Sequence, residues 1–233
     1  MIQAAIFDLD GTLLNRDASV NEFITRQYER LDKWLRHIPK ESYISRFIEL
    51  DQRGYVWKDK VYKQLIEEFT IPEITWEELL EDYISEFKHS CLPFPHLYKM
   101  LDELREKNIK LGMITNGFGQ FQMDNILALE IKEYFDEILV SEWEGLKKPD
   151  PEIFKRALVR LNLEPHECIF IGDHPEYDVY GAQKVGMKGI WKRDPHLRHA
   201  EQADWVIHDL MELPKYIDHL NNNVRSYKPS TNH

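Results

Sequence analysis

The sequence predicts an α/β protein: a doubly wound parallel sheet into which a bundle of helices is inserted. Three observations predict it. From residue 93 onward, short apolar runs of strand length alternate with helical patterns. Such a chain builds a parallel sheet covered on both faces. Residues 15–92, by contrast, carry helical periodicity alone. Finally, the chain opens on an apolar run, Ile2-Gln3-Ala4-Ala5-Ile6-Phe7, that delivers Asp8 and Asp10 to a strand end and is followed by Gly11 and Thr12. In open α/β sheets, ligands bind just beyond the carboxyl ends of strands. Paired carboxylates at such a place, with Gly11 freeing backbone N–H groups, suit a divalent cation and a phosphoryl group. An acidic turn is the plain alternative, since Asp and Gly are common turn residues.

The elements follow in order. Residues 1–14 read as a buried strand and its loop. Val20, Phe23, Ile24, Leu31, Trp34, Leu35 and Ile38 fall on one helical stripe. Tyr43, Ile44, Phe47, Ile48 and Leu50 mark a second helix. Val61, Leu65, Ile66 and Phe69 mark a third, which stops before Ile71-Pro72 because the residue before proline is biased away from helix. Thr75-Trp76-Glu77-Glu78 is a capping-box pattern that opens a fourth, running to about Ser90. The aromatic residues of these stripes read as core. After Leu92-Pro93-Phe94-Pro95 come a helix over 96–107, a strand over 109–114, a helix over 120–129 and a strand over 135–140. A helix over 151–161, a strand over 168–171, a helix over 177–185 and a strand over 188–191 follow. The last expected elements are a strand over 205–207 and a helix holding Leu210 to Leu220. The expected organisation is a catalytic core of residues 1–14 and 93–220, an inserted helical domain over 15–92, and a loose tail over 221–233, where apolar periodicity is lacking.

Composition narrows the function classes. The 233 residues suffice for one large or two small domains. With 41 acidic and 30 basic residues the net charge is −11, which argues against a nucleic-acid backbone as partner and requires local cations at any site for an anionic substrate. The two cysteines, Cys91 and Cys168, form no disulfide framework or metal-type spacing; Cys168 sits in an apolar strand pattern and reads as core. The first residues lack a basic segment followed by a long apolar stretch, so no signal peptide is expected, and no apolar run reaches membrane-spanning length. A soluble, cytoplasmic protein with no membrane association and no obligate protein partner is the expectation.

Four motifs carry a more specific resemblance. Asp8-Leu9-Asp10-Gly11-Thr12, Thr115-Asn116-Gly117 after the run Lys110 to Ile114, Lys148-Pro149-Asp150-Pro151, and Gly172-Asp173 after Ile169-Phe170-Ile171 occur in this order, each after or near an expected strand. Together they resemble the four motifs of the haloacid dehalogenase superfamily of hydrolases, in the subfamily whose helical cap follows the first motif. The resemblance covers residues 1 to about 208. It implies a Rossmann-like core, a Mg²⁺-dependent phosphatase activity on a small phosphorylated metabolite, and an aspartyl-phosphate intermediate.

Phosphate ester hydrolysis needs a nucleophile, a proton donor for the leaving group, and positive charge about the phosphoryl group. Asp8 is the expected nucleophile and Asp10 the general acid and base. The resemblance implies that the Asp8 and Asp173 carboxylates and the backbone carbonyl of Asp10 hold Mg²⁺, an all-oxygen set that suits a hard cation. Asp173 alone would also suit a helix N-cap before Pro175. Asp178 is either a supporting group beside the metal ligands or a complement to the helix dipole. Thr115 is expected at the phosphoryl group, with Asn116 and Gly117 binding substrate, although Asn-Gly is also a turn pair. Lys148 is expected to neutralise phosphate charge and orient Asp8. It is preferred to Lys147 because the resembled family's lysine directly precedes proline. In the inserted domain, the segment Asp51-Gln52-Arg53-Gly54-Tyr55-Val56-Trp57-Lys58 joins two helices, and Arg53 is the candidate for an anionic substrate group, or else a surface arginine.

Rival readings share the fold. A haloacid dehalogenase uses the same nucleophile without Mg²⁺, and the resemblance implies that such enzymes lack an acid where Asp10 stands. A phosphomutase differs in what meets the phospho-enzyme. A phosphonatase would need a Schiff-base lysine among Lys33, Lys40, Lys58 and Lys60, none of which sits in a recognisable signature. A non-catalytic phosphoryl-binding module is the reading from a different class, and the Asp8-to-Thr12 spacing and the helical insertion count against it.

Overall fold

The computed structural model describes residues 1–197 and 200–225. Internal packing divides the chain into two compact units: Met1–Leu14 together with the chain from Pro93 onward, and Asn15–Leu92.

The first unit opens with β1 (Ala4–Phe7), four residues that are all buried. A strand covered on both faces needs a continuous apolar run rather than an alternating one, and that is what the sequence supplies.

The second unit holds α1 (Arg16–Arg30), α2 (Lys40–Asp51), α3 (Lys58–Phe69) and α4 (Trp76–Glu86). The Thr75 capping box forms, with Thr75 Oγ accepting from the Glu78 amide and Glu78 accepting from the Thr75 amide. Aromatic rings fill the interior, as in the edge-on pair of Phe23 and Tyr83, centroids 5.1 Å apart. Buried Gln27 satisfies its amide there by donating to Asp82 (2.8 Å) and accepting from the Tyr62 hydroxyl (3.0 Å). The stripe expected to run unbroken over 20–38 is interrupted, because α1 ends at Arg30 and a separate turn covers Asp32–Leu35.

The first unit continues with α5 (Leu97–Glu106), β2 (Lys110–Thr115), α6 (Gly119–Ala128), β3 (Glu137–Val140) and α7 (Pro151–Leu161). It ends with β4 (Cys168–Gly172), β5 (Lys188–Lys192), β6 (Trp205–Ile207) and α8 (Glu212–Arg225). The six strands form one parallel sheet in the order β3-β2-β1-β4-β5-β6. After β3 the chain crosses to the other side of β1, so the order reverses about the strand that leads to Asp8. Phe7 is in register with Met113 of β2 and Ile171 of β4, which brings the ends of all three strands to one edge of the sheet. Cys168 is buried, and burial pushes its thiol up to about 12. Among the described residues, no helix is long and apolar enough to cross a membrane.

Two segments depart from expectation. The helix expected over 177–185 is replaced by a π-helical turn, Pro175–Tyr180, and a short helical piece, Gly181–Gln183. The expected loose tail begins too early: α8 continues to Arg225, and the Asn221 side chain accepts from the Ile2 amide (2.6 Å) and donates to the Ile2 carbonyl (3.2 Å). A polar residue anchors this last turn through backbone hydrogen bonds, so apolar periodicity gave no sign of it. The rest of that tail, residues 226–233, lies outside the described residues.

Candidate active site

The site is assembled at the carboxyl edge of β1, β2 and β4. Asp8 follows β1 directly, and its amide donates to the Ile171 carbonyl of β4 (2.9 Å), which continues the ladder one residue past the strand. Thr12 Oγ donates to Asp8 Oδ2 at 3.3 Å. Gly11 has φ of +81°, and a methyl group there would overlap the Asp173 carboxylate, so the turn after the acids brings backbone against Asp173 where only glycine fits.

Lys148 organises the negative charge. It is 4 % exposed, and its ammonium donates to Asp8 Oδ1 (2.6 Å) and Asp178 Oδ1 (2.7 Å). Asp178, 1 % exposed, uses its other oxygen to accept from the His174 amide (3.0 Å). Asp178 is therefore a lysine partner, held in place by the π-helical turn. That turn is capped by His174, whose Nδ1 accepts from the amides of Glu176 and Tyr177 (3.1 Å each). The N-cap alternative for Asp173 is thereby removed, because the adjacent residue does the capping.

The carboxylates of Asp8, Asp173 and Asp178 come within 4.8 Å of one another. Burial, reinforced by Asp178, pushes Asp8 up to about 7 against the pull of Lys148. Burial and then Asp8 and Asp178 raise Asp173 well above the carboxylate range. Lys148 moves the other way: burial alone would lower it, but Asp178 and Asp8 outweigh burial and raise it. Lys148 thus pairs with two of the three acids, and among the described residues the Asp173 side chain forms no hydrogen bond or ion pair. The donor set is all oxygen, anionic and short of positive charge, which fits a hard divalent cation.

The second strand supplies a different set of contacts. Thr115 ends β2 and is buried. Its hydroxyl oxygen accepts from Gln122 Nε2 (2.7 Å), and the same nitrogen donates to Asp10 Oδ2 (2.7 Å). The Asp10 side chain is therefore directed to α6 and lies outside the group of three acids. Asn116 and Gly117, expected to bind substrate, have other work. Asn116 brackets the Lys148 backbone, accepting from its amide (2.9 Å) and donating to its carbonyl (3.0 Å), and so positions the lysine. The Gly117 amide is engaged by Ser141 Oγ (2.9 Å). Arg53, in the helical unit, pairs with Asp17 at 3.0 Å, and both Gln52 and Arg53 have positive φ.

Sequence reasoning missed two residues. Gln122 lies in the first turns of α6, and Lys192 ends β5. Lys192 donates to the Gly11 carbonyl (3.0 Å) with its ammonium 3.2 Å from the Phe94 ring centroid, and burial brings it down to about 8. A lysine on the last residue of a strand that ends at this edge was a legible signal. Gln122 offered none beyond following the second motif within a helical turn or two.

The haloacid dehalogenase-like hydrolase family matches residues 5–192. The chain belongs to this family. Among its relatives, the glyceraldehyde 3-phosphate phosphatase of Pyrococcus furiosus is 38 % identical over 132 residues, 54 % of this chain and 55 % of that enzyme, so this match spans about half the relative's length. The Pyrococcus abyssi enzyme of the same name is 33 % identical over 196 residues, covering 82 % of this chain and 81 % of its own. The crystal structure of a HAD phosphatase from Thermococcus onnurineus superposes with a TM-score of 0.66 at 29 % identity, covering 93 % of this chain and 98 % of the other.

Proposed function

We propose that the protein is a Mg²⁺-dependent phosphatase that hydrolyses a small phosphorylated metabolite through an aspartyl-phosphate on Asp8. The observation that carries the proposal is the Lys148 bridge between Asp8 and Asp178, set beside Asp173 at the carboxyl edge of the sheet. The named phosphatase relatives support it.

In this reading Asp8, held by Lys148 through Oδ1, attacks the phosphorus in line with the ester oxygen. Asp10 gives its proton to the departing oxygen, which leaves as an alcohol. Asp10 then takes a proton from water, whose oxygen attacks the phosphorus and releases inorganic phosphate and free Asp8. Thr115 donates a hydrogen bond to the phosphoryl group, and Lys148 offsets its charge. The Asp8 and Asp173 carboxylates and the Asp10 carbonyl would hold Mg²⁺, which supplies the positive charge that lets an anionic nucleophile meet an anionic phosphate. Substrate selection falls to the helical unit, with Arg53 as its candidate cation. Asp10 favours this reading over a dehalogenase, which has no use for a general acid there.

The test is phosphate release from a panel of phosphometabolites with Mg²⁺ and after exhaustive chelation. Release should require Mg²⁺, and Ca²⁺ should substitute poorly, because its longer, more variable coordination misplaces an in-line attack. Full activity in excess chelator would refute the metal assignment and favour the dehalogenase reading.

A stability measurement gives an independent check. An acid raised in the folded state binds protons more tightly there than in the unfolded chain. Stability from Asp8 therefore falls as pH rises from its ordinary 3.8 to about 7. A cation bound to the ionised carboxylates offsets that loss. The gain in melting temperature on adding Mg²⁺ should be larger at pH 8 than at pH 5.5, and Asp8→Asn should shrink the difference. A gain independent of pH in both proteins would contradict the assigned ligands.

A further inference from the structure

Gln122 is 2 % exposed, and its Nε2 lies 2.7 Å from both Asp10 Oδ2 and Thr115 Oγ. A primary amide carries two hydrogens, and these two short contacts take both, with the Asn116 carbonyl a longer third acceptor at 3.4 Å. The amide orientation is determined by its surroundings: Oε1 accepts from Asn125 Nδ2 (3.3 Å), and a reversed amide would set oxygen against the Asp10 carboxylate. Gly117 makes room for this arrangement, since a Cβ there would lie 2.8 Å from Gln122 Cγ.

We infer that Gln122 is a positioning residue that sets the direction of proton transfer in the site, by donating at once to the general acid and to the phosphate-binding hydroxyl. The Thr115 oxygen is an acceptor toward Gln122, so its own hydrogen is left to donate to a phosphoryl oxygen. Asp10 Oδ2 is held by the amide, so Oδ1 is the oxygen that carries the proton to the leaving group. One side chain thereby ties the helix α6 to the two groups that must act together when the ester bond breaks. The inference rests on the phosphatase reading and adds to it the control of Asp10.

Leaving-group dependence separates this role from a structural one. Nitrophenolate departs without a proton, whereas an alkoxide needs one. The value of kcat/KM, which reports steps up to the first irreversible bond cleavage, should be compared for p-nitrophenyl phosphate and glycerol 2-phosphate, with Mg²⁺ present. Gln122→Met should lower it roughly 30- to 100-fold for the glycerol ester and less than about fivefold for the nitrophenyl ester, a loss no larger than the low end of the roughly 10²- to 10⁴-fold that a general acid contributes, because Asp10 itself is retained. The Asp10→Asn/Gln122→Met double variant should be no slower than Asp10→Asn, because the glutamine acts through the aspartate. If the methionine variant loses its melting transition, Gln122→Leu, which also removes both donors, should give the same split. Equal losses on both esters, no loss on either, or additive losses in the double variant would overturn the inference. A wild-type protein that releases phosphate from neither ester would instead remove the phosphatase reading itself.

Discussion

Asp8→Asn is expected to lower steady-state phosphate release by at least about 10⁴-fold, a barrier increase of roughly 5.5 kcal/mol, while leaving the protein folded. An amide is no nucleophile toward phosphorus, and no other described carboxylate sits on Lys148 in its place except Asp178, whose second oxygen is occupied by the His174 amide. The fold should tolerate the change. Burial and the neighbouring Asp178 already disfavour the ionised form of Asp8, so a neutral side chain of the same size relieves repulsion. The metal-free variant should therefore melt at or above the wild-type temperature. Initial-rate assays and thermal melts of the two proteins check both halves, and a rate within about tenfold of wild type, near 1.4 kcal/mol, would be too small for a nucleophile.

Lys148→Met should damage activity and stability together. Removing one partner of a buried ion pair leaves uncompensated charge, which typically costs about 3–5 kcal/mol. Here two buried carboxylates lose their cation at once. Lys148 has its pKa raised above the ordinary 10.5, so its contribution is fully present below that value and is lost only as pH rises through the higher folded one. The variant's deficit should accordingly be complete at pH 8. It should shrink at pH 5, where Asp8, with its raised pKa, takes up a proton and the repulsion falls. Urea unfolding at the two pH values measures this. Lys148→Arg should not restore the site, since a planar guanidinium does not fit the space of a buried ammonium held between two carboxylates. A deficit under about 1 kcal/mol at pH 8 would be that of a surface ion pair and would contradict the burial argument.

The sheet and the position of its working edge were legible because they depend on coarse patterning. Continuous apolar runs mark strands buried on both faces, as at Ala4–Phe7 and Cys168–Gly172, and polar residues directly after them must lie at the carboxyl edge. Such patterning put Asp8, Thr115 and Asp173 at this edge, where the structure has them. What the patterning could not carry was the pairing of side chains across elements. That Asn116 serves the Lys148 backbone, that Gly117 gives its amide to Ser141, and that Asp10 meets Gln122 are facts about groups 24 to 112 residues apart. The π-helical turn at Pro175–Tyr180 was hidden for a related reason. Its register is set by the His174 cap and by Asp178 reaching Lys148, not by apolar spacing. The last turn of α8 was missed because Asn221 anchors it through Ile2.

The sheet order has a consequence for how the molecule comes into being. Among the described strands β1 comes first in sequence yet sits in the middle of the sheet, paired to Lys110–Met113 on one side and Cys168–Ile171 on the other. A chain emerging from the ribosome must hold this apolar strand unpaired until roughly a hundred further residues exist, and only then does it gain one neighbour. The Asn15–Leu92 unit, contiguous in sequence, has all its partners in hand well before that. Lys148, Asp173 and Asp178 come later still, so Asp8 waits for a lysine 140 residues further along before its carboxylate meets the ammonium that holds it.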